Sequence, residues 1–154
     1  LIKSGGHHQA AGFTVETSSV SHLEKRLLKW SAGKLQHMNL SPTVNIDCEV
    51  PFSIFTQENV NFIQSLAPFG EKNEPPSFLT REVKVLDLKS VGAGGQHLKL
   101  QLWNNGKTFD GIAFRQGHLA RLINSNPIDI VYSIGINTWG YRPKLQLTVH
   151  DVRV

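Results

Sequence analysis

The second half of this chain contains short runs in which apolar and polar residues alternate, and turn sequences separate the runs. The clearest run is residues 97–103, with three leucines on one face and Lys99, Gln101 and Trp103 on the other. A period of two is typical of a β-strand with one face in the core. Since Asn104-Asn105-Gly106 then favours a tight turn, the pattern predicts a β-hairpin.

Further segments complete the predicted order of the second half. Residues 81–88 form a strand before the hairpin, residues 108–115 are its second arm, and residues 117–124 are a short helical stretch. Strands at 127–137 and around 145–149 follow. Three strands, a short helix and two strands form the order of an OB-fold, a small partly open barrel that commonly binds oligonucleotides. Another small Greek-key barrel is the alternative.

The first half predicts a mixture of helix and strand. Residues 9–16 predict a strand, and Ser21-His22-Leu23-Glu24 has the form of a capping box at the start of an amphipathic helix. Residues 44–50 predict another strand, and residues 56–66 predict a second helix. The predicted fold class is therefore α+β.

A proline-rich segment separates the two halves. Residues 67–77 contain three prolines, a glycine and an asparagine, which favour a loop. Phe69 and Phe78 are expected to pin this loop to neighbouring surfaces. The predicted organisation is a first domain at 1–66, a connector at 67–79 and a barrel at 80–154.

The composition of the 154 residues, 40% hydrophobic and 18% charged, fits a soluble globular protein. No apolar run approaches the roughly 20 residues of a membrane-spanning helix, and the first residues do not have the pattern of a secretory leader. The single cysteine, Cys48, excludes an internal disulfide framework. We expect a cytoplasmic location and no membrane partner. Because the chain begins at Leu1 and has only Met38, we expect a piece of a longer protein.

Positive charge is concentrated in the second half. Residues 80–154 carry ten Lys and Arg against five Asp and Glu, whereas residues 1–79 carry six against seven. A basic half beside a near-neutral half favours a polyanionic partner, and a solubilising surface is the alternative.

Basic and aromatic residues fall where an OB-fold binds its ligand, on the second and third strands and in the adjoining loops. Cations follow phosphates, and each base stacked on a flat ring contributes roughly 1–3 kcal/mol. As alternatives, Trp103 packs on the first half and Trp139 covers the end of the barrel. The candidate nucleic-acid-binding residues are Lys99, Gln101, Trp103, Lys107, Arg115, Trp139, Tyr141, Arg142 and Lys144.

The sequence predicts no metal centre in this chain. Its seven histidines form no HxxxH or HExxH pattern, Cys48 has no nearby cysteine or histidine, and the carboxylates are scattered. A two-metal hydrolytic centre needs several such ligands around ions roughly 3.5–4 Å apart. No nucleophile-elbow sequence indicates serine-based catalysis either.

The most distinctive short motif is Ser4-Gly5-Gly6-His7-His8-Gln9-Ala10-Ala11-Gly12-Phe13. Two glycines before a histidine let backbone amides approach an anion, and the imidazole can donate to it. The alternative is a glycine turn that leads into a buried strand.

This motif and several later segments resemble the RecJ branch of the DHH phosphoesterases. Gly5-Gly6-His7-x-x-Ala10-Ala11-Gly12-Phe13 is similar to the GGHxxAAG(F/L) motif of the DHH-associated domain. Residues 72–76 depart from the usual Gly-Asn-Pro-x-Pro of the connector, a difference that touches no chemistry. The other similar segments are Leu66-x-Pro68-Phe69-Gly70, His97-Leu98-Lys99, Phe109-Asp110-Gly111-Ile112-Ala113-Phe114, Leu145-Gln146-Leu147 and Asp151-Val152-Arg153.

The resemblance implies the end of a DHH-associated domain followed by the OB-fold of an exonuclease specific for single-stranded DNA. Such enzymes degrade the strand from its 5′ end in DNA repair and recombination, and their Mn²⁺ or Mg²⁺ ligands belong to a DHH domain outside this chain. Gly5, Gly6 and His7 would contact and position a substrate phosphate, His7 in a catalytic role without binding metal. The fragment alone is expected to be inactive. Single-stranded DNA is the expected partner, and a single-strand-binding protein or a helicase is a further candidate.

Two other functions stay open from the sequence. One is a stand-alone OB-fold module that binds single strands or a protein. The other is a DHH phosphoesterase of short oligonucleotides or cyclic dinucleotides, a class that shares the glycine–histidine motif but usually lacks such a barrel.

Overall fold

The structure, a computed structural model, describes residues 1–8, 10–123, 127–138 and 142–154. Two of the predicted nucleic-acid-binding residues, Trp139 and Tyr141, lie outside the described ranges. The chain divides into two compact units, Leu1–Thr43 and Val44–Val154.

The division between the units lies before the predicted connector at residues 67–79. Residues 44–66 belong to the second unit because Phe52, Phe55 and Val60 are buried in the core of the barrel. The connector itself is a compact turn, in which the Asn73 side chain donates to the carbonyl oxygens of Leu66 and Pro68. The assignment of residues 1–66 to a DHH-associated domain stays a prediction.

The first unit consists of a two-stranded ribbon and one helix. Strand β1 (Lys3–Gly6) pairs antiparallel with β2 (Ala11–Thr14), and both strands are exposed. Helix α1 (Val20–Leu35) continues directly from a 3-10 turn at Thr17–Ser19. The predicted capping box is wrong, because Ser21 lies inside the helix, and the residue at the N-cap, Ser19, makes no side-chain capping hydrogen bond.

The apolar face that the sequence predicts for α1 lines an open groove. Leu23, Leu27 and Trp30 border a cavity of about 570 Å³ together with Leu1 and Val15. None of the sixteen residues of α1, all of them described, is buried.

In the described residues, the second unit is a closed barrel with one added strand and one α-helix. Five strands follow the order β4-β5-β6-β8-β7, and β7 pairs back with β4 to close the barrel, so the predicted OB-fold is confirmed. The short β3 pairs parallel to β4 at the start of the sheet. The elements are β3 (Cys48–Glu49), α2 (Gln57–Ser65), β4 (Phe78–Val91), β5 (His97–Asn104), β6 (Lys107–Ala113), β7 (Ile128–Asn137) and β8 (Lys144–Arg153).

Strand β4 closes the barrel because it bends between two partners. Its first residues pair with β7, and the residues from Lys84 onward pair with β5. The register shifts between Thr80 and Val83 and again between Val85 and Asp87. Such irregularities bend a strand and increase its twist, so that β4 can pair with β7 at one end and with β5 at the other.

The core follows from the alternation that the sequence shows. Leu98, Leu100 and Leu102 point inward from β5 and are at most 1% exposed. Burying each such side chain contributes about 1.5–3 kcal/mol relative to exposure. Tyr132 is buried among them, with its hydroxyl 2.8 Å from the Thr80 hydroxyl, and burial raises the pKa of this phenol.

The turns of the barrel agree with their sequences, with one difference. Asn105 and Gly106 both have positive φ, 46° and 78°, which is the type I′ geometry that Asn-Gly favours. The predicted helical stretch at 117–124 is shorter, a 3-10 helix at Gly117–Arg121. A Cβ at Gly117 would overlap the carbonyl oxygen of Gly95, so glycine is required where this turn meets the β4–β5 turn. Neither α-helix of the described chain is long and apolar enough to cross a membrane.

Candidate nucleic-acid interface

The outer face of β5, β6 and β8 presents cross-strand rows of side chains that are mostly polar. Lys99 on β5 lies opposite Ile112 on β6, and Ile112 lies opposite Thr148 on β8. The neighbouring row places Gln101 opposite Asp110. These side chains point outward because the intervening positions on each strand fill the core.

Three of the predicted cations surround one cavity on this face, which we call the basic cavity. Lys99, Arg142 and Lys144 contribute three positive charges, and Asp110 is the one carboxylate of its lining. All three cations are exposed, so their charges are available to a ligand. The cavity has a volume of about 460 Å³. Its lining consists of Lys99, Asp110, Asn137, Arg142, Lys144, Leu145 and Gln146.

Trp103 lies apart from the basic cavity. It is four residues from Lys99 along β5, a distance of about 13 Å. The ring is partly buried, and Lys84 Nζ lies 5.1 Å from its centre in a cation–π contact. Trp103 borders a separate cavity of about 530 Å³ that also involves Val50 and Pro51, in the segment before α2.

Two other predicted cations lie at the ends of β6. Lys107 Nζ donates to the carbonyl oxygen of Phe55 at 3.0 Å, so this charge ties the barrel to the segment before α2. Arg115 has a positive φ of 59°, and its backbone N–H donates to His97 Nδ1 at 2.9 Å. Its side chain borders a cavity of about 760 Å³ beside the β4–β5 turn, together with His118 and Arg121.

Ion pairing neutralises other cations of the barrel. Arg81 contacts Glu49 at 3.1 Å and Asp129 at 3.2 Å, and its hydrogen bond to Glu49 raises the guanidinium pKa. Lys89 Nζ lies 3.1 Å from Asp87.

The charge count changes once the unit boundary is known. Residues 44–154 carry eleven Lys and Arg against ten Asp and Glu, so the second unit is nearly neutral as a whole. The excess of positive charge in residues 80–154 arose because the count began at residue 80 and left out the acidic residues between 44 and 79. What favours a polyanion is therefore the location of the cations around the basic cavity.

The glycine–histidine motif of the first unit forms the end of a tight ribbon. His7 N–H donates to Ala10 O at 2.7 Å, and Ala10 N–H donates back to His7 O at 3.3 Å. In an antiparallel ribbon, hydrogen-bonded pairs alternate with pairs that are not hydrogen-bonded. Because His7 and Ala10 form a hydrogen-bonded pair, the adjacent pair Gly6 and Ala11 is not hydrogen-bonded, and the amide of Gly6 faces away from β2. A Cβ at Gly6 would lie 2.6 Å from Ala11 Cα, and Gly5 has open space. Gly6 is thus required for close strand approach.

The structure adds an aromatic residue that the sequence reasoning missed. Phe114 is 56% exposed and lies in the turn directly after β6. It borders a second cavity of about 460 Å³, here called the Phe114 cavity, which shares Lys99, Asn137 and Gln146 with the basic cavity. A signal was present in the sequence, since the strand predicted at 108–115 places Phe114 on the same face as Ile112.

The described residues do not fit a metal ion. No group of three or more His, Cys, Asp or Glu side chains in the described ranges is arranged to hold one.

Comparison with known proteins agrees with the barrel. A family model for the RecJ OB domain matches residues 46–151. The single-stranded-DNA-specific exonuclease RecJ of Bacillus subtilis (strain 168) is 30% identical over 151 residues, which cover 97% of this chain and 19% of that protein. RecJ of Haemophilus influenzae is 27% identical over 152 residues, which cover 97% of this chain and 26% of that protein. The chain thus spans about a fifth to a quarter of the length of these curated relatives.

The crystal structure of Thermus thermophilus RecJ in complex with Mn²⁺ has the same fold. It superposes with a TM-score of 0.72 at 21% identity over the whole chain and 22% of that protein. The Mg²⁺ complex of the same protein superposes equally well, with a TM-score of 0.72. With the family model covering more than half of its residues, this chain belongs to the RecJ OB domain family.

Proposed function

We propose that this chain is the substrate-binding C-terminal part of a RecJ-type exonuclease and that its barrel binds single-stranded DNA. The observation that carries the proposal is the basic cavity, where Lys99, Arg142 and Lys144 converge on the outer face of β5 and β8. A groove of cations beside apolar and aromatic surface suits a single strand, because the cations follow its phosphates and the unpaired bases contact the rings. The names of the curated relatives, single-stranded-DNA-specific exonucleases, support this substrate.

The first unit contributes a phosphate contact in this proposal. The Gly6 amide faces away from β2, and the His7 imidazole lies at the exposed end of the ribbon. Both groups can donate to a phosphate oxygen, and Gly5 allows the strand to approach without a side chain in the way. We assign His7 to positioning the substrate phosphate and stabilising charge on it.

The metal chemistry belongs to the parent enzyme. Mn²⁺ and Mg²⁺ are the ions in the Thermus thermophilus RecJ complexes, which supports a divalent metal in the full protein. Because the described residues of this chain offer no ligand cluster, no catalytic step through a metal is assigned to them. The chain by itself is therefore proposed to bind the strand without cutting it. Degradation from the 5′ end, roles in repair and recombination, a cytoplasmic location, and a single-strand-binding protein or helicase as partner belong to the same proposal.

Fluorescence anisotropy of labelled oligonucleotides tests this function. The 154-residue chain is titrated into a single strand and into the matching duplex, with and without Mn²⁺. We expect preferential, salt-sensitive binding to the single strand and no shortening of the oligonucleotide on a denaturing gel. Equal affinity for the duplex contradicts the proposal, and cleavage by the pure chain contradicts the assignment of the metal site to another part of the enzyme.

A further inference from the structure

We propose that Phe114, supported by His97, is a base-stacking platform of this interface and that Lys99 holds the phosphate next to the stacked base. This inference rests on the proposed binding of single-stranded DNA and names the residues that receive one of its bases.

The two rings contact each other where the pairing of β5 with β6 ends. Leu98 and Ala113 are the last residues paired between β5 and β6, and His97 and Phe114 lie directly next to this pair along the chain. Their ring centres are 5.4 Å apart and their planes meet at 77°, an edge-to-face contact. This geometry stabilises an aromatic pair beyond its buried area, and it leaves Phe114 56% exposed.

His97 is held on two further sides, which fixes the support under Phe114. Its Nδ1 accepts the backbone N–H of Arg115 at 2.9 Å. Gly92 approaches its ring so closely that a Cβ there would lie 2.8 Å from His97 Cδ2. A ring that is ordered before binding loses little conformational entropy when a base stacks on it. Phe114 is therefore a preorganised platform rather than a loose surface residue.

The cavity in front of Phe114 has the chemistry of a base site. Its apolar surface comes from Phe114, Ile112 and Ile136, and its polar lining includes side chains such as Asn137 and Gln146. Lys99 belongs both to this cavity and to the basic cavity, so a base on Phe114 has a cation within reach of its own phosphate. Continuity with the basic cavity is the reason that we assign the exposed ring to a nucleic-acid base and not to a protein partner.

The two interactions assigned to this site, stacking on Phe114 and a phosphate contact with Lys99, do not depend on the identity of the base. Stacking needs only a π-face, which every base has, and the cation reads only the backbone. We therefore expect the platform to accept all four bases with similar affinity.

The test compares matched phenylalanine variants of the 154-residue chain. The probe is a labelled oligothymidylate longer than the ~4–16 nucleotides that one OB-fold covers. Phe114→Ala is expected to weaken binding by roughly 5- to 150-fold without changing the salt slope, because it removes a stacked base and no charge. Phe114→Trp is expected to restore binding. Phe62→Ala is the control, since Phe62 is 68% exposed on α2 and borders neither cavity.

A second readout separates stacking from charge. Lys99→Gln is expected to reduce the slope of log K against log salt by about 0.7, the value for one phosphate of a single strand. A 2-aminopurine in the oligonucleotide reports stacking through loss of its fluorescence, which Phe114→Ala is expected to prevent.

The outcomes distinguish the two proposals. If the parent chain binds no single strand, the proposed function fails, and the platform fails with it. If the chain binds and Lys99→Gln lowers the salt slope, but Phe114→Ala behaves like Phe62→Ala, the platform is overturned and the proposed function stands. Weakening by Phe114→Ala that Phe114→Trp restores, with an unchanged salt slope, supports the platform.

Discussion

Removing the three cations of the basic cavity is expected to abolish most of the salt dependence that the outer face of the barrel gives to binding of single-stranded DNA. Lys99, Arg142 and Lys144 are exposed and line one cavity, so each can contact a phosphate. Each phosphate contact on a single strand contributes about 0.7 to the slope of log K against log salt, which gives about 2 for three contacts. With that slope, raising the salt fourfold weakens binding by roughly 20-fold.

The assay is fluorescence anisotropy of a labelled oligothymidylate over a range of salt concentrations. We expect the triple variant Lys99→Gln/Arg142→Gln/Lys144→Gln to bind weakly, with a slope lower by about 2 than that of the parent chain. The double variant Lys72→Gln/Arg153→Gln is the control, because both side chains are exposed and lie outside the lining of the basic cavity.

A substitution that removes a negative charge from the basic cavity is expected to have the opposite effect on binding. Asp110 is the one carboxylate in the lining of the basic cavity, so Asp110→Asn removes repulsion between this carboxylate and a phosphate. We expect Asp110→Asn to strengthen binding at low salt. An unchanged slope in the triple variant, or an equal loss in the control, refutes the assignment of this cavity to phosphate.

Three further predictions concern the stability of the barrel, measured by urea unfolding. Asn104→Ala is expected to cost about 1–3 kcal/mol, because the buried amide accepts from Phe52 N–H and donates to Arg81 O, and both partners lose their bond; no loss of stability contradicts this role. Gly117→Ala is expected to cost about 1–3 kcal/mol through overlap with a neighbouring carbonyl, whereas Gly70→Ala, which meets open space, stays within about ±0.5 kcal/mol; equal effects contradict the overlap. Burial raises the folded-state pKa of Tyr132, so the contribution of this residue to the free energy of unfolding is complete below the unfolded-state pKa of about 10. Above that pH the contribution falls by up to about 1.4 kcal/mol per pH unit. Tyr132→Phe is expected to remove this alkaline loss, and an unchanged pH profile argues against it.

Local pattern was sufficient for most elements of the barrel. The alternation at residues 97–103 is reproduced by β5, and the Asn-Gly turn has the predicted backbone geometry. These features are encoded by neighbouring residues, because the side-chain period of a strand and the φ preference of a glycine are local properties. The same holds for α2, where the Thr56 side chain accepts from Asn59 N–H at the start of the helix.

Features that depend on distant contacts were harder to predict. The proline-rich connector suggested a domain boundary, but Phe52 and Phe55 place the preceding residues in the barrel core. Seven residues were predicted for the strand at 44–50, and only Cys48–Glu49 forms one, because only these two residues pair in register with β4. A pairing partner is a property of the fold and leaves little trace in the sequence of one strand.

Residue order alone was enough to predict the succession of elements in the OB-fold, the inward and outward faces of β5 and the resemblance to the RecJ branch. Which cations act together became clear only from the folded chain. Lys99, Arg142 and Lys144 share a cavity although more than 40 positions separate the first from the other two, whereas Lys107 is tied to a backbone carbonyl and Arg81 to two carboxylates. Folding also brought His97 beneath Phe114. The physical reason is that alternation fixes the face on which a side chain lies, while strand pairing and barrel closure fix its neighbours.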